Sequence, residues 1–144
     1  MNDVKMIAVG YDGSRESDAA VRWAFHMARE TNAYVTVVHA TGLLEHLGTN
    51  FSPGVAPPAL SAIAKKCGFD QARLRWSVTD GDACSVLFRA VNPPINAELL
   101  VVGSRGRGEH SGMLMGSTSL EVVEHATLPV VVVPSDFVPR AVLN

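Results

Sequence analysis

No apolar run in this 144-residue chain approaches the roughly 18 residues that a membrane-spanning helix requires. The opening MNDVKM has no apolar core of the kind a signal peptide carries. Cysteine is scarce: Cys67 and Cys84 stand alone, with no CxxC pair and no metal-ligand spacing around either. A disulfide framework or a zinc site is therefore not expected. Both fall on apolar helical stripes, which suits buried cytosolic thiols. The formal net charge is only -2 at pH 7, so electrostatics gives no reason to look for nucleic acid or a membrane surface as partner. Familiar site motifs are missing too. There is no G-x-x-x-x-G-K-[ST] phosphate loop, and the Asp12-Gly13-Ser14 turn is too short for a dinucleotide GxGxxG. No GxSxG elbow surrounds Ser111, Ser117 or Ser119. A response-regulator phospho-acceptor site needs paired acids after the first strand and a lysine after the fifth, and has neither. With 47% hydrophobic and 18% charged residues, the expectation is a soluble, cytoplasmic protein folded as one domain over 1–144, its core over about 4–135.

What the chain does contain is a regular alternation. Lys5–Tyr11 (KMIAVGY) is a short β-branched run closed by Asp12-Gly13-Ser14, a turn followed by a helix cap. Val21, Ala24, Phe25 and Ala28 then repeat at helical spacing, predicting a helix over 15–30 that Thr31-Asn32 stops. Tyr34–Ala40 (YVTVVHA) is apolar on both faces, as a parallel strand covered by helices must be. Thr41–Pro58, rich in glycine and proline, predicts a long loop. Leu60, Ile63, Ala64 and Cys67 give a second helix. Ala72–Thr79 alternates, with Leu74, Trp76 and Val78 on one face, which suits an edge strand. Asp80-Gly81-Asp82 caps a third helix, whose stripe is Cys84, Leu87, Phe88 and Val91. A strand over 97–103, a helix over 118–126 and a strand over 129–134 complete the order β-α-β-α-β-α-β-α-β. Such alternation predicts an α/β fold, a parallel sheet with helices on both faces.

In open sheets of this kind a ligand crevice lies beyond the carboxyl ends of the strands. One end stands out. After Leu99–Val102 the chain runs GSRGRGEHSGMLMGSTS, residues 103–119, with five glycines and two arginines. Glycines let backbone N–H groups close on an anion, and the helix that follows offers unpaired amides at its positive end. Thr118-Ser119-Leu120-Glu121 has the T-x-x-E form of a capping box, so the fourth helix is expected to start there or one residue earlier. Arg105, Arg107 and His110 are further candidates for phosphate contact. His26, His39 and His125 have no ligand at metal spacing and are expected to be structural.

The spacing Gly103-x-x-Gly106, nine residues, then Gly116-Ser117 reads G-2x-G-9x-G-[S/T]. With a first strand ending in YDGS and a last one reading LPVVVVP, the sequence from Lys5 to Pro134 resembles the universal stress protein family. The resemblance implies a five-stranded sheet of order 3-2-1-4-5 and an adenine-nucleotide (ATP) site. Carried over by position, Asp12, with Gly13 beside it, meets the nucleoside, and Asp12 is also a candidate contact for a Mg2+ ion brought by the nucleotide. Ala40 offers its backbone to the adenine edge. Val102 and Gly103 lie along the ribose, and Gly106, Gly116, Ser117 and Thr118 hold phosphates. The resemblance further implies a homodimer through the last strand, Val130–Val133, which Phe137 and Val138 could extend. Two features depart from the family pattern: Glu109-His110 inside the glycine loop, and a longer loop before a shorter second helix. Two other readings stand beside the first, an interaction module of the same fold that needs no nucleotide, and a slow ATPase.

Overall fold

The structure is a computed structural model and describes residues 4–41, 54–104 and 117–139. Arg105, Gly106, Arg107, Glu109, His110, Ser111 and Gly116, and most of the 41–58 loop, lie outside the described residues. Five strands, β1 (Met6–Gly10), β2 (Tyr34–Thr41), β3 (Leu74–Asp80), β4 (Leu99–Gly103) and β5 (Val130–Val133), form one sheet of order β3-β2-β1-β4-β5. Every ladder is parallel. The order expected from the family resemblance is the order found.

Period-two alternation sends successive side chains to opposite faces and here divides the interior into two cores. Ile7 and Val9 of β1, Val35 and Val37 of β2 and Val101 of β4 pack on one face against the helices α1 (Arg15–Thr31) and α2 (Pro58–Cys67). Ala8, Val38, Leu100 and Val102 pack on the other against α3 (Ala83–Arg89) and α4 (Ser117–His125). Alanines at 19, 20, 24 and 28 of α1 are fully buried, so its backbone lies close on the sheet. Both outer strands are less covered: β3 is half-buried along most of its length, and only Val133 of β5 is fully enclosed.

Helix ends follow their local chemistry. The Ser14 side chain accepts from Ser17 N–H to cap α1, and Asn32 ends it with φ 59°. Pro58 opens α2 and Gly68, at φ 68°, closes it. Three expected boundaries shift. Ala72 belongs to a 3-10 turn over Gln71–Arg73, because Asp70 Oδ1 accepts from Ala72 N–H at 2.9 Å and delays β3 to Leu74. Val91 lies beyond α3, which ends at Arg89, and is exposed. The chain turns there so that Ala97 N–H can bond Ala90 O at 2.8 Å, and β4 begins at Leu99. No described helix is long and apolar enough to cross a membrane.

Candidate functional site

The winding of the sheet reverses between β1 and β4: successive strands are added outward from β1 to β2 and β3, then on the other side of β1 as β4 and β5, all parallel. The carboxyl ends of β1 and β4 are therefore adjacent at the switch point, where a crevice opens in such sheets. The residues after β1 are held by side chains. Asp12 Oδ1 accepts from Ser14 N–H at 2.9 Å, and Asp12 N–H donates to Ser17 Oγ at 3.3 Å. Ser17 Oγ donates in turn to Ser14 O at 3.0 Å. Gly13 sits at φ 82°, a left-handed value that favours glycine. Asp12 is thus fixed at the mouth of β1, half-buried, beside the first turn of α1.

Tyr11 N–H continues the β1–β2 ladder to Val38 O at 2.9 Å, and His39 Nδ1 meets Tyr11 O at 2.8 Å. Ala40 follows in β2, and Thr41 Oγ1 donates to Asp80 Oδ1 at 2.6 Å, tying the ends of β2 and β3 together. On the β4 side, an ideal Cβ on Gly103 would lie 2.6 Å from the Glu16 carbonyl oxygen and 2.7 Å from its carbon. The first turn of α1 therefore occupies the space a side chain would need. Ser119 Oγ donates to Gly103 O, so the two ends of the glycine-rich segment are joined.

α4 begins at Ser117, one residue before Thr118 and within the start that the T-x-x-E string allowed, and the Glu121 carboxylate acts on the Cys84 thiol. Cys84 Sγ also faces Thr118 O at 3.6 Å. Burial, then the hydrogen bond and negative charge of Glu121, push this thiol up to about 12. At pH 8.5 that leaves on the order of a thousandfold less thiolate than an ordinary cysteine. Iodoacetamide is therefore expected to spare Cys84 in the native protein and to label it only after unfolding, which peptide mapping by mass spectrometry checks. Cys67 is half-buried. Burial also raises its thiol, less so beside Arg22 and Arg29.

Of the residues expected to form the site, Asp12, Gly13, Ala40, Val102 and Gly103 all lie at or next to the carboxyl ends of β1, β2 and β4. Ser117 and Thr118 lie in the first turn of α4. Arg105, Gly106 and Gly116 lie outside the described residues. His39 is packed and hydrogen-bonded, as expected of a structural histidine, whereas sequence reasoning did not find the parts played by Glu16, Ser17 and Ser119, since each acts through a contact made only after folding. A separate cavity of about 320 Å3, lined by Arg15, Asp18, Arg22, Ser135, Asp136 and Val138, contains none of the expected residues. Burial raises the Asp18 carboxyl there, against the Tyr11 hydroxyl and Arg22, which lower it. Phe137 packs against the α1-side core of its own chain, and its carbonyl accepts from Arg22 Nη2 at 3.1 Å. Among the described residues no cluster of three or more His, Cys, Asp or Glu could hold a metal ion.

Comparison with known proteins agrees with this architecture. A universal stress protein of Mycobacterium tuberculosis (strain H37Rv) is 34% identical over 130 residues, covering 88% of this chain and 44% of the relative. A putative universal stress protein of Staphylococcus aureus (strain USA300) is 26% identical over 157 residues, covering 94% of this chain and 90% of the relative. This chain thus spans less than half the length of the mycobacterial relatives it matches. Among solved structures, a universal stress protein in complex with cAMP superposes with a TM-score of 0.71 at 24% identity, covering 93% of this chain and 99% of its own. The universal stress protein from Archaeoglobus fulgidus in complex with dAMP gives 0.61 at 20% identity, covering 90% and 97%. The model of the universal stress protein family matches residues 4–87 and 89–134, essentially the whole sheet and its four helices, and the chain belongs to that family.

Proposed function

We propose that this chain is a cytoplasmic regulatory protein that binds an adenine nucleotide, in the first instance ATP, and works as a homodimer. The observation that carries the reading is the spacing of Gly103, Gly106, Gly116 and Ser117 between the end of β4 and the start of α4. Such a segment supplies main-chain amides and a helix N-terminus, the two devices that hold phosphate without a dedicated cation. That fold neighbours were solved with cAMP and with dAMP supports an adenine nucleotide as the ligand.

In this reading Asp12 and Gly13 meet the nucleoside, Ala40 presents its backbone to the base, and Val102 and Gly103 line the ribose. Arg105, Gly106, Gly116, Ser117 and Thr118 take the phosphates. Mg2+ is carried by those phosphates, with Asp12 as its candidate protein contact. Dimerisation falls to β5, an edge strand of four valines only partly covered by its own chain.

The experiment is to denature purified protein, identify any released nucleotide, and titrate stripped protein with ATP by calorimetry, with and without Mg2+. Sedimentation of the same sample reports the dimer. Gly106→Val is expected to weaken ATP at least about a hundredfold, since the side chain would stand between amides and phosphate. No carried nucleotide and no heat of binding would overturn the proposal. One observation favours the nucleotide-independent module instead: the packing of Gly103 on Glu16 accounts for that glycine without a ligand. The module reading gains if Gly106→Val keeps both its fold and its activity in cells.

A further inference from the structure

Main-chain groups of a parallel strand point alternately to its two neighbours, so residues two apart share a side. In β2, Val38 O accepts from Tyr11 N–H, on the β1 side, and Thr41 O accepts from Gly81 N–H, on the β3 side. Ala40 therefore shares the β1 side with Val38, and His39 shares the β3 side with Thr41. The next bond of a continuing β1–β2 ladder would run from Ala40 N–H to Tyr11 O. The Tyr11 carbonyl is engaged otherwise, by the His39 ring nitrogen Nδ1 at 2.8 Å. Among the described residues, Ala40 N–H and C=O take no main-chain partner on the β1 side. They are left at the edge where the chain of β1 has turned away into Asp12 and Gly13.

The ring that does this is built in. His39 is 3% exposed. It lies nearly parallel to Trp76, 14° between planes at 6.3 Å, and Trp76 meets Tyr11 edge-on at the same centroid distance. Imidazole, indole and phenol thus form one aromatic group under the β1–β2 ends, on the face covered by α1 and α2. A donor on a rigid, enclosed ring fixes the direction of a carbonyl far better than a solvated side chain does.

We propose that His39 is a positioning residue for base recognition: by holding the Tyr11 carbonyl out of the ladder, it keeps the Ala40 N–H and C=O open as an adjacent donor and acceptor. This rests on the adenine-nucleotide reading above. Adenine carries an acceptor, N1, beside a donor, the N6 amino group, and so matches such a pair. His39 touches no ligand. It sets the strand so that main chain can.

Two measurements test it. In His39→Leu, which keeps the bulk and loses the donor, the Kd for adenosine is expected to rise about tenfold. The Kd for tripolyphosphate, which has no base, should stay unchanged. His39→Gln, whose amide can donate to Tyr11 O, should recover part of the adenosine affinity. A general loss of structure would weaken both ligands together. Equal adenosine affinity in wild type and His39→Leu overturns the role of His39. A wild-type protein that binds no adenine nucleotide overturns the reading beneath it, a distinguishable result. Should His39→Leu fail to fold, 15N NMR of the wild-type imidazole decides. The proposal requires the proton on Nδ1, and a ring protonated on Nε2 alone could not donate to Tyr11 O.

Discussion

Phe25→Ala is expected to destabilise the fold by about 4 kcal/mol, the range for truncating a fully enclosed aromatic. Thermal denaturation should show a fall in Tm on the order of 10 °C. Phe25 is 0% exposed at the middle of α1, and its ring stacks on Phe69 at 4.7 Å with 10° between planes. Phe69 stands just past the end of α2, where Gly68 turns the chain and Phe69 N–H bonds Ala64 O at 2.9 Å. The pair is therefore the hydrophobic join between α1 and the close of α2. Alanine would lose the transfer energy of the ring and leave a cavity that the fixed α1 backbone cannot close. Phe25→Leu, which refills most of the space, should recover over half of the loss. A fall below about 1 kcal/mol for the alanine variant would mean that the α1–α2 face repacks freely.

The alternation of short apolar runs with helical stripes was readable because each element's burial is written into its own period. Val35, Val37 and Val38 fill both sides of β2, as a run with no polar face requires. The order of strands was a different matter. Periodicity predicts a parallel sheet, and only the resemblance carried by the glycine spacing supplied 3-2-1-4-5. Boundaries shifted where a side chain competed with the pattern, as Asp70 does at Ala72. The T-x-x-E string at Thr118 marked the start of α4 to within one residue. The residues that the sequence singled out lie at the carboxyl ends of β1, β2 and β4, yet the contacts that shape that edge join residues far apart in the chain. Tyr11 to His39, Glu16 to Gly103 and Ser119 to Gly103 leave no local signature that one sequence can show.

Gly103→Ala separates the structural part of the glycine segment from its ligand-binding part. The added methyl would stand 2.6 Å from the Glu16 carbonyl oxygen and 2.8 Å from Glu16 Cβ, distances no real Cβ keeps. Neither side yields easily. Glu16 lies in the first turn of α1, which Ser14 caps and the Asp12–Ser17 bonds anchor. Gly103 is held in the sheet opposite Val133 and by Ser119. The strand end must therefore move off the helix, at a cost of about 3 kcal/mol, measured as a fall in the urea midpoint with an unchanged slope. That loss should appear in full with no nucleotide present, because the clash is within the chain. Gly106→Val should do the reverse, leaving the stability of the stripped protein nearly as it was and removing the rise in Tm that saturating ATP gives the wild type. If Gly103→Ala instead costs under 1 kcal/mol and weakens only ATP, the first turn of α1 is not seated against β4. Gly103 would then belong with Gly106 and Gly116 as part of the cradle.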